Sequence, residues 1–200
     1  MKNRVRATAD LLYNRLAVFD DDTIYVTEQL TSFCLWLEKH YPNALGSEYL
    51  GADKAGGSYY GPLRHEDITQ LSFDDSSLDI IVSFDVLEHV PNTEKSLAEF
   101  IRCLKPGGFV LISVPFVSNQ YETIVRAKIG VNGTTLHLLE PEYHGNPTNP
   151  AMGSLCYYHF GWHLLDQLRS AGASSAAVLS YYSSERMNIG NEQLFFVALK

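Results

Sequence analysis

Two runs, Leu78 to Phe84 (LDIIVSF) and Phe109 to Val114 (FVLISV), constrain the fold of this chain more than any other feature. Side chains along a strand point alternately to opposite faces, so a run that is apolar at nearly every position must be covered on both. Between them Thr93 to Leu104 places Leu97, Phe100, Ile101 and Leu104 on one side of a helix. Strand, helix and strand in that order predict an α/β protein with a parallel sheet. Ligands of such sheets sit beyond the carboxyl ends of the strands.

The rest of the chain extends this pattern. Val5, Ala9, Leu12, Leu16 and Phe19 predict an N-terminal helix over residues 1–19, capping the sheet and ending before Asp20-Asp21-Asp22. Thr23 to Thr27 reads as a strand, Ser32 to His40 as a helix, and Tyr49 to Ala52 as a second strand ending at Asp53. A Gly- and Tyr-rich loop over Gly56 to Pro62 leads to a third strand at Arg64 to Asp67. From Val117 to Ser154 no periodicity survives among the prolines and glycines, so 117–154 is expected to be an inserted, acceptor-side loop region without regular structure. His163 to Ala171 is a helix stopped by Gly172, and Ala176 to Tyr182 and Gln193 to Leu199 are two closing strands. All this fits one domain over 1–200. The helical pattern is already running at Arg4, which fits a chain that continues from a preceding segment.

Composition narrows the function. A formal charge of -8 argues against nucleic-acid binding, which needs clustered Lys and Arg. No apolar stretch approaches the roughly 18 residues of a membrane span, and no apolar signal segment follows Met1, so a soluble cytoplasmic protein with no membrane partner is expected. Cys34, Cys103 and Cys156 are too widely spaced for a zinc knuckle and read as buried thiols. A small-molecule acceptor is therefore expected. The amphipathic N-terminal helix leaves a homodimer open.

Asp67 followed by Leu71-Ser-Phe, then LDIIVSFDVLEHV, then LKPGGFVLISVPF resembles the class I S-adenosylmethionine (SAM)-dependent methyltransferases, particularly the branch containing small-molecule methyltransferases of quinone and sugar pathways. The resemblance runs from about Thr23 to Lys200. It implies a Rossmann-like, mostly parallel seven-stranded sheet with helices on both faces and an antiparallel C-terminal strand pair, and SAM as cofactor. Residue by residue, it implies that Asp53 accepts from the ribose hydroxyls, with Glu48 its nearest competitor. Asp67 and the Ile68 amide would meet the adenine, and Phe84 and Asp85 the methionine part. Glu88 and His89 are assigned an indirect role. Lys105-Pro-Gly-Gly108 is expected as a turn at the edge away from the ligand.

The first strand departs from the family. Where a Gly-x-Gly-x-Gly loop is normal, this chain has Val26-Thr-Glu-Gln-Leu-Thr-Ser32. Glu28 keeps the acidic position, but side chains fill the space that glycine leaves open. Either SAM binds with Thr27, Glu28 and Thr31 as polar contacts, or the fold survives as a non-catalytic binding or assembly module. An NAD-dependent dehydrogenase is a third reading, and it too would need the missing glycines.

A second polar cluster comprises His137, Glu140, Glu142, Tyr143 and His144, followed by Tyr157, His159, Trp162 and His163. It can be read as an acceptor pocket, a metal site or a self-bonded loop. In the pocket reading, which assigns no metal, His144 takes a proton from the acceptor, with His137 next, and Tyr143 and Trp162 stack on it. Arg126 and Tyr121 would then contact an anionic acceptor. The overall expectation is methyl transfer to a small acceptor, anionic or sugar-like.

Overall fold

The computed structural model describes residues 3–14, 16, 18–183 and 192–200. Its centre is the strand-helix-strand unit, extended on both sides into a six-stranded sheet. In chain order the strands are β1 (Ile24–Val26), β2 (Ala44–Gly46), β3 (Leu78–Phe84), β4 (Leu104–Ser113), β5 (Ser175–Tyr181) and β6 (Gln193–Leu199). Across the sheet they lie in the order β5-β6-β4-β3-β1-β2. The last four of these are mutually parallel, whereas β6 is antiparallel to both β4 and β5.

Alternate side chains along these strands face opposite cores. Ile80, Val82, Leu111, Phe195 and Val197 face a core built with α1 (Asn3–Asn14) and α2 (Ser32–His40). Their neighbours Ile81, Val110, Ile112 and Phe196 face the opposite core with α3 (Thr93–Cys103) and α4 (His163–Ser170). Helices therefore cover both faces, which is why these strands are apolar throughout. Thr31 caps α2 by accepting from the Cys34 amide at 3.2 Å, and Asn92 caps α3 through the Lys95 amide at 3.1 Å. Gly172, at φ 107°, ends α4 as expected. Cys34, Cys103 and Cys156 are all buried and free. No described helix is long and apolar enough to cross a membrane.

Four expectations need correction. The second strand is Ala44–Gly46 and not Tyr49 to Ala52, because Gly51, at φ 123°, turns the chain and the Leu50 amide bonds to His65 Nδ1 at 3.0 Å. The strand expected at Arg64 to Asp67 shrinks to one parallel bridge between Glu48 and His65, since Leu63–Arg64 pairs instead with Tyr59–Tyr60. The sheet thus has six full strands among the described residues. Lys105-Pro-Gly-Gly108 lies within β4, where a Cβ on Gly108 would come 2.6 Å from the Asp79 carbonyl oxygen and the β3–β4 register shifts. Finally, the 117–154 region carries short ladders: Ala127–Ile129 with Thr135–His137, Tyr143–His144 with Ser154–Leu155, and Ile124–Val125 with Tyr158–His159. Strands of two or three residues are too short to leave a readable period.

Candidate active site

A cavity of about 760 Å³ opens at the carboxyl ends of β1, β2 and β3, within the range of roughly 300–1,000 Å³ typical of small-molecule sites. Thr27, Glu28 and Thr31 reach it from the loop after β1, Ser47 and Glu48 from the end of β2, and Phe84 and Asp85 from the end of β3. Glu66, Asp67, Ile68 and Thr69 form another wall. The segment after Tyr143–His144 closes the far side with Asn146, Leu155 and Tyr157.

The glycine-free loop leaves this space open by an exchange with β2. The Gln29 amide bonds to the Ser47 carbonyl at 2.9 Å, and the Gln29 side chain bonds to Pro62 and Arg64. A Cβ on Gly46 would lie 2.5 Å from Cys34 Sγ and 2.9 Å from Gln29 Cα. The glycine that permits close approach therefore stands in β2 and not in the loop. Neither Gln29 nor Leu30 lines the cavity.

Glu28, Asp67, Ile68, Phe84 and Asp85 are thus gathered around one space. Asp53 is not. It lies on the exposed turn beyond β2, paired with Lys54 at 2.8 Å, because the strand ends at Gly46 and not at Ala52. Glu48 occupies the position after β2, with Oε1 accepting from the Leu30 amide at 2.7 Å. The signal for it was Gly46-Ser-Glu48, a tight approach followed by an acid. Asp67 Oδ1 accepts from Thr69 N at 2.8 Å and Oγ1 at 2.7 Å, fixing its carboxylate at the cavity wall.

Asp85 adopts φ 54°, an unusual conformation for a residue with a side chain. Arg4 of α1 grips it with both guanidinium nitrogens, one at 2.7 Å, and also donates to Ser113 Oγ at 2.8 Å. Arg4 itself lines the cavity, so α1 serves as part of its roof. No local signal marked Arg4 for this role, because its partner Asp85 is 81 positions away. Burial pushes the Glu28 carboxyl up to about 8, against the hydrogen bond it accepts from Thr27.

The histidine cluster divides. His137 is exposed on its hairpin, away from the cavity lining. His144 is half-buried and meets His89, a lining residue, edge-on at 4.9 Å. Its Nε2 is 3.0 Å from Glu142 and its Nδ1 3.4 Å from Glu88. The expected acceptor contacts are used elsewhere: Arg126 binds Glu142 and the Glu140 carbonyl, Tyr121 donates to Asp166, and Trp162 donates to the Ser118 carbonyl. Tyr143 is exposed and outside the cavity lining.

Residues 39–112 match a family model described as a methyltransferase domain. Over 53 residues the chain is 38% identical to a Mycolicibacterium smegmatis protein described as "Probable S-adenosylmethionine-dependent methyltransferase", covering 26% of this chain and 21% of that one. Over 69 residues it is 38% identical to the demethylmenaquinone methyltransferase of Clavibacter sepedonicus, covering 32% and 28%. The chain thus spans less than a third of the length of these relatives. The crystal structure of a SAM-dependent methyltransferase from Mesorhizobium loti shares its fold over 98% of this chain and all of that one, with a TM-score of 0.59 at 16% identity. The domain match runs across β2, β3 and most of β4, and the chain shares the fold of that SAM-dependent methyltransferase along nearly its whole length.

Proposed function

We propose that the cavity binds SAM and that the protein transfers its methyl group to a small acceptor approaching over the segment from Gly145 to Tyr157. The observation that carries this reading is the set of carboxylates Glu28, Glu48 and Asp85 at the ends of three adjacent parallel strands around one cavity. Glu48 takes the ribose role expected of Asp53, since a carboxylate can accept two hydroxyl donors side by side. Asp67 and the Ile68 amide hold the adenine, and Phe84, Asp85 and Glu28 the methionine part.

The cofactor supplies a methyl activated by its sulfonium. The chain holds the acceptor in line and receives its proton. The group placed to receive it is His89 in the cavity wall, backed by His144 and Glu88, whereas His137 takes no part. Carboxylates outnumber cations in the lining, which favours a neutral, sugar-like acceptor over an anionic one.

Calorimetric titration with S-adenosylhomocysteine tests the reading. We expect micromolar binding, weakened about tenfold or more in Glu48→Gln through loss of charge-assisted bonds and unchanged in Asp53→Ala. Absence of heat in the wild type would favour the non-catalytic binding module.

A further inference from the structure

We propose that Glu88, His89 and His144 form a binding site for one divalent transition-metal ion, held by two imidazole nitrogens and a carboxylate. One ligand atom from each lies within 4.8 Å of the others.

The hydrogen bonds around the cluster fix which atoms face inward. His89 Nδ1 is 2.8 Å from the Leu155 carbonyl, which can only accept, so Nδ1 carries the proton and Nε2 presents a lone pair. His144 Nε2 is 3.0 Å from Glu142 Oε1, a carboxylate oxygen that accepts. Nε2 is therefore the donor and Nδ1 of His144 presents its lone pair towards Glu88. Glu88 is fully buried, and no donor from another residue reaches either carboxylate oxygen. Three lone-pair donors thus converge on one point, and the outward nitrogen of each imidazole is anchored as metal-binding histidines generally are.

A shared proton does not account for the spacing. Glu88 Oε1 stands 3.4 Å from His144 Nδ1 and 3.8 Å from His89 Nε2, whereas a hydrogen bond would draw the atoms to about 2.7–3.2 Å. Ligands bound at about 2.0–2.1 Å around a tetrahedral ion lie about 3.3 Å apart, close to the 3.4 Å between Glu88 and His144 and somewhat less than the 3.8 Å between Glu88 and His89. Two nitrogens and one oxygen suit zinc, manganese or iron better than magnesium or calcium, which take oxygen ligands. The neighbouring group of Glu142, Cys156 and His159 differs. There Arg126 and His159 already satisfy Glu142, and burial pushes the Cys156 thiol up to about 11.

Three protein ligands leave a coordination position, and His89 lies in the cavity wall. An ion at this point would take an oxygen of the acceptor and acidify its hydroxyl, so the cluster would act through the ion and not as a free base. This last step alone rests on the methyltransferase reading.

The test is calorimetric titration of the tag-free, chelator-stripped full chain with zinc chloride and with manganese chloride, without cofactor or acceptor. Its outcome is therefore independent of S-adenosylhomocysteine binding. We expect one ion per chain, with affinity lowered more than about tenfold in both Glu88→Gln and His144→Asn, since even outer partners are worth ~10–100-fold. His159→Asn should remain within that lower bound. No binding by the wild type, or wild-type affinity in Glu88→Gln, would overturn the assignment. Should circular dichroism show Glu88→Gln unfolded, His144→Asn decides by the same criterion, its side chain being 29% exposed.

Discussion

The burial of Glu88 leads to a stability prediction with a definite sign. Its carboxyl is raised from 4.5 to about 8, first because burial disfavours the charge and then because nearby Asp85 and Glu28 add to it. Between those values the metal-free folded chain retains a proton that the unfolded chain releases, so stability is fully present below 4.5 and is lost as pH rises towards about 8. Each fully linked proton changes stability by about 1.4 kcal/mol per pH unit, giving at most ~5 kcal/mol over the whole interval. Glu28, also raised to about 8, contributes with the same sign. His89, lowered from 6.5 chiefly by burial, contributes with the opposite sign at more acidic pH, so the clean window is pH 6.5–7.5. There the wild type should lose roughly 2–3 kcal/mol, and Glu88→Gln, a neutral isostere able to donate to the histidine lone pairs, about half of that. In thermal terms this is about 2–4 °C per kcal/mol for a chain of this size. Urea denaturation of both proteins at pH 6.5 and 7.5 in chelator measures the two slopes. Equal slopes would refute the claim that Glu88 is protonated in the metal-free fold.

Two further predictions concern how the cavity is held. Arg4→Ala should free Asp85 and detach α1 from the roof, weakening S-adenosylhomocysteine by about tenfold through loss of a charged bond worth ~1.5–3 kcal/mol, and hydrogen exchange should quicken in Asn3–Asn14. Retained affinity and protection would show that the Arg4–Asp85 pair does not hold the helix in place. Gly46→Val would force its Cβ onto Cys34 and Gln29, costing ~1–3 kcal/mol as overpacking does. A melting temperature equal to wild type would contradict the close approach of β2 to the first loop.

Much of the fold was legible because the signals are local and long enough to repeat. Ser32–His40 and Leu78–Phe84 have the bounds expected of them, as does Gln193–Leu199. The second strand was not legible, because Ala44–Gly46 is a poor strand former that pairs only because β1 lies beside it. Tyr49 to Ala52 looks more strand-like but contains the turn at Gly51. Because the strand ends at Gly46, Glu48 and not the expected Asp53 lies at the cavity. Of the polar cluster near His137, the sequence marked its richness in ligands but not which members face inward.

The amino-acid sequence by itself determined the alternation of buried strands and covering helices, since side-chain period and apolar content demand burial on both faces of β3 and β4. It also determined that the acids of Glu28 and Asp85 would stand near strand ends. Only the tertiary structure decided that Arg4 would grip Asp85, that a glycine in β2 would make room for a glycine-free loop, and that Glu88 and His89 would meet His144. The reason is physical: these contacts join residues up to 81 positions apart, and chain folding rather than local spacing brings their atoms within reach.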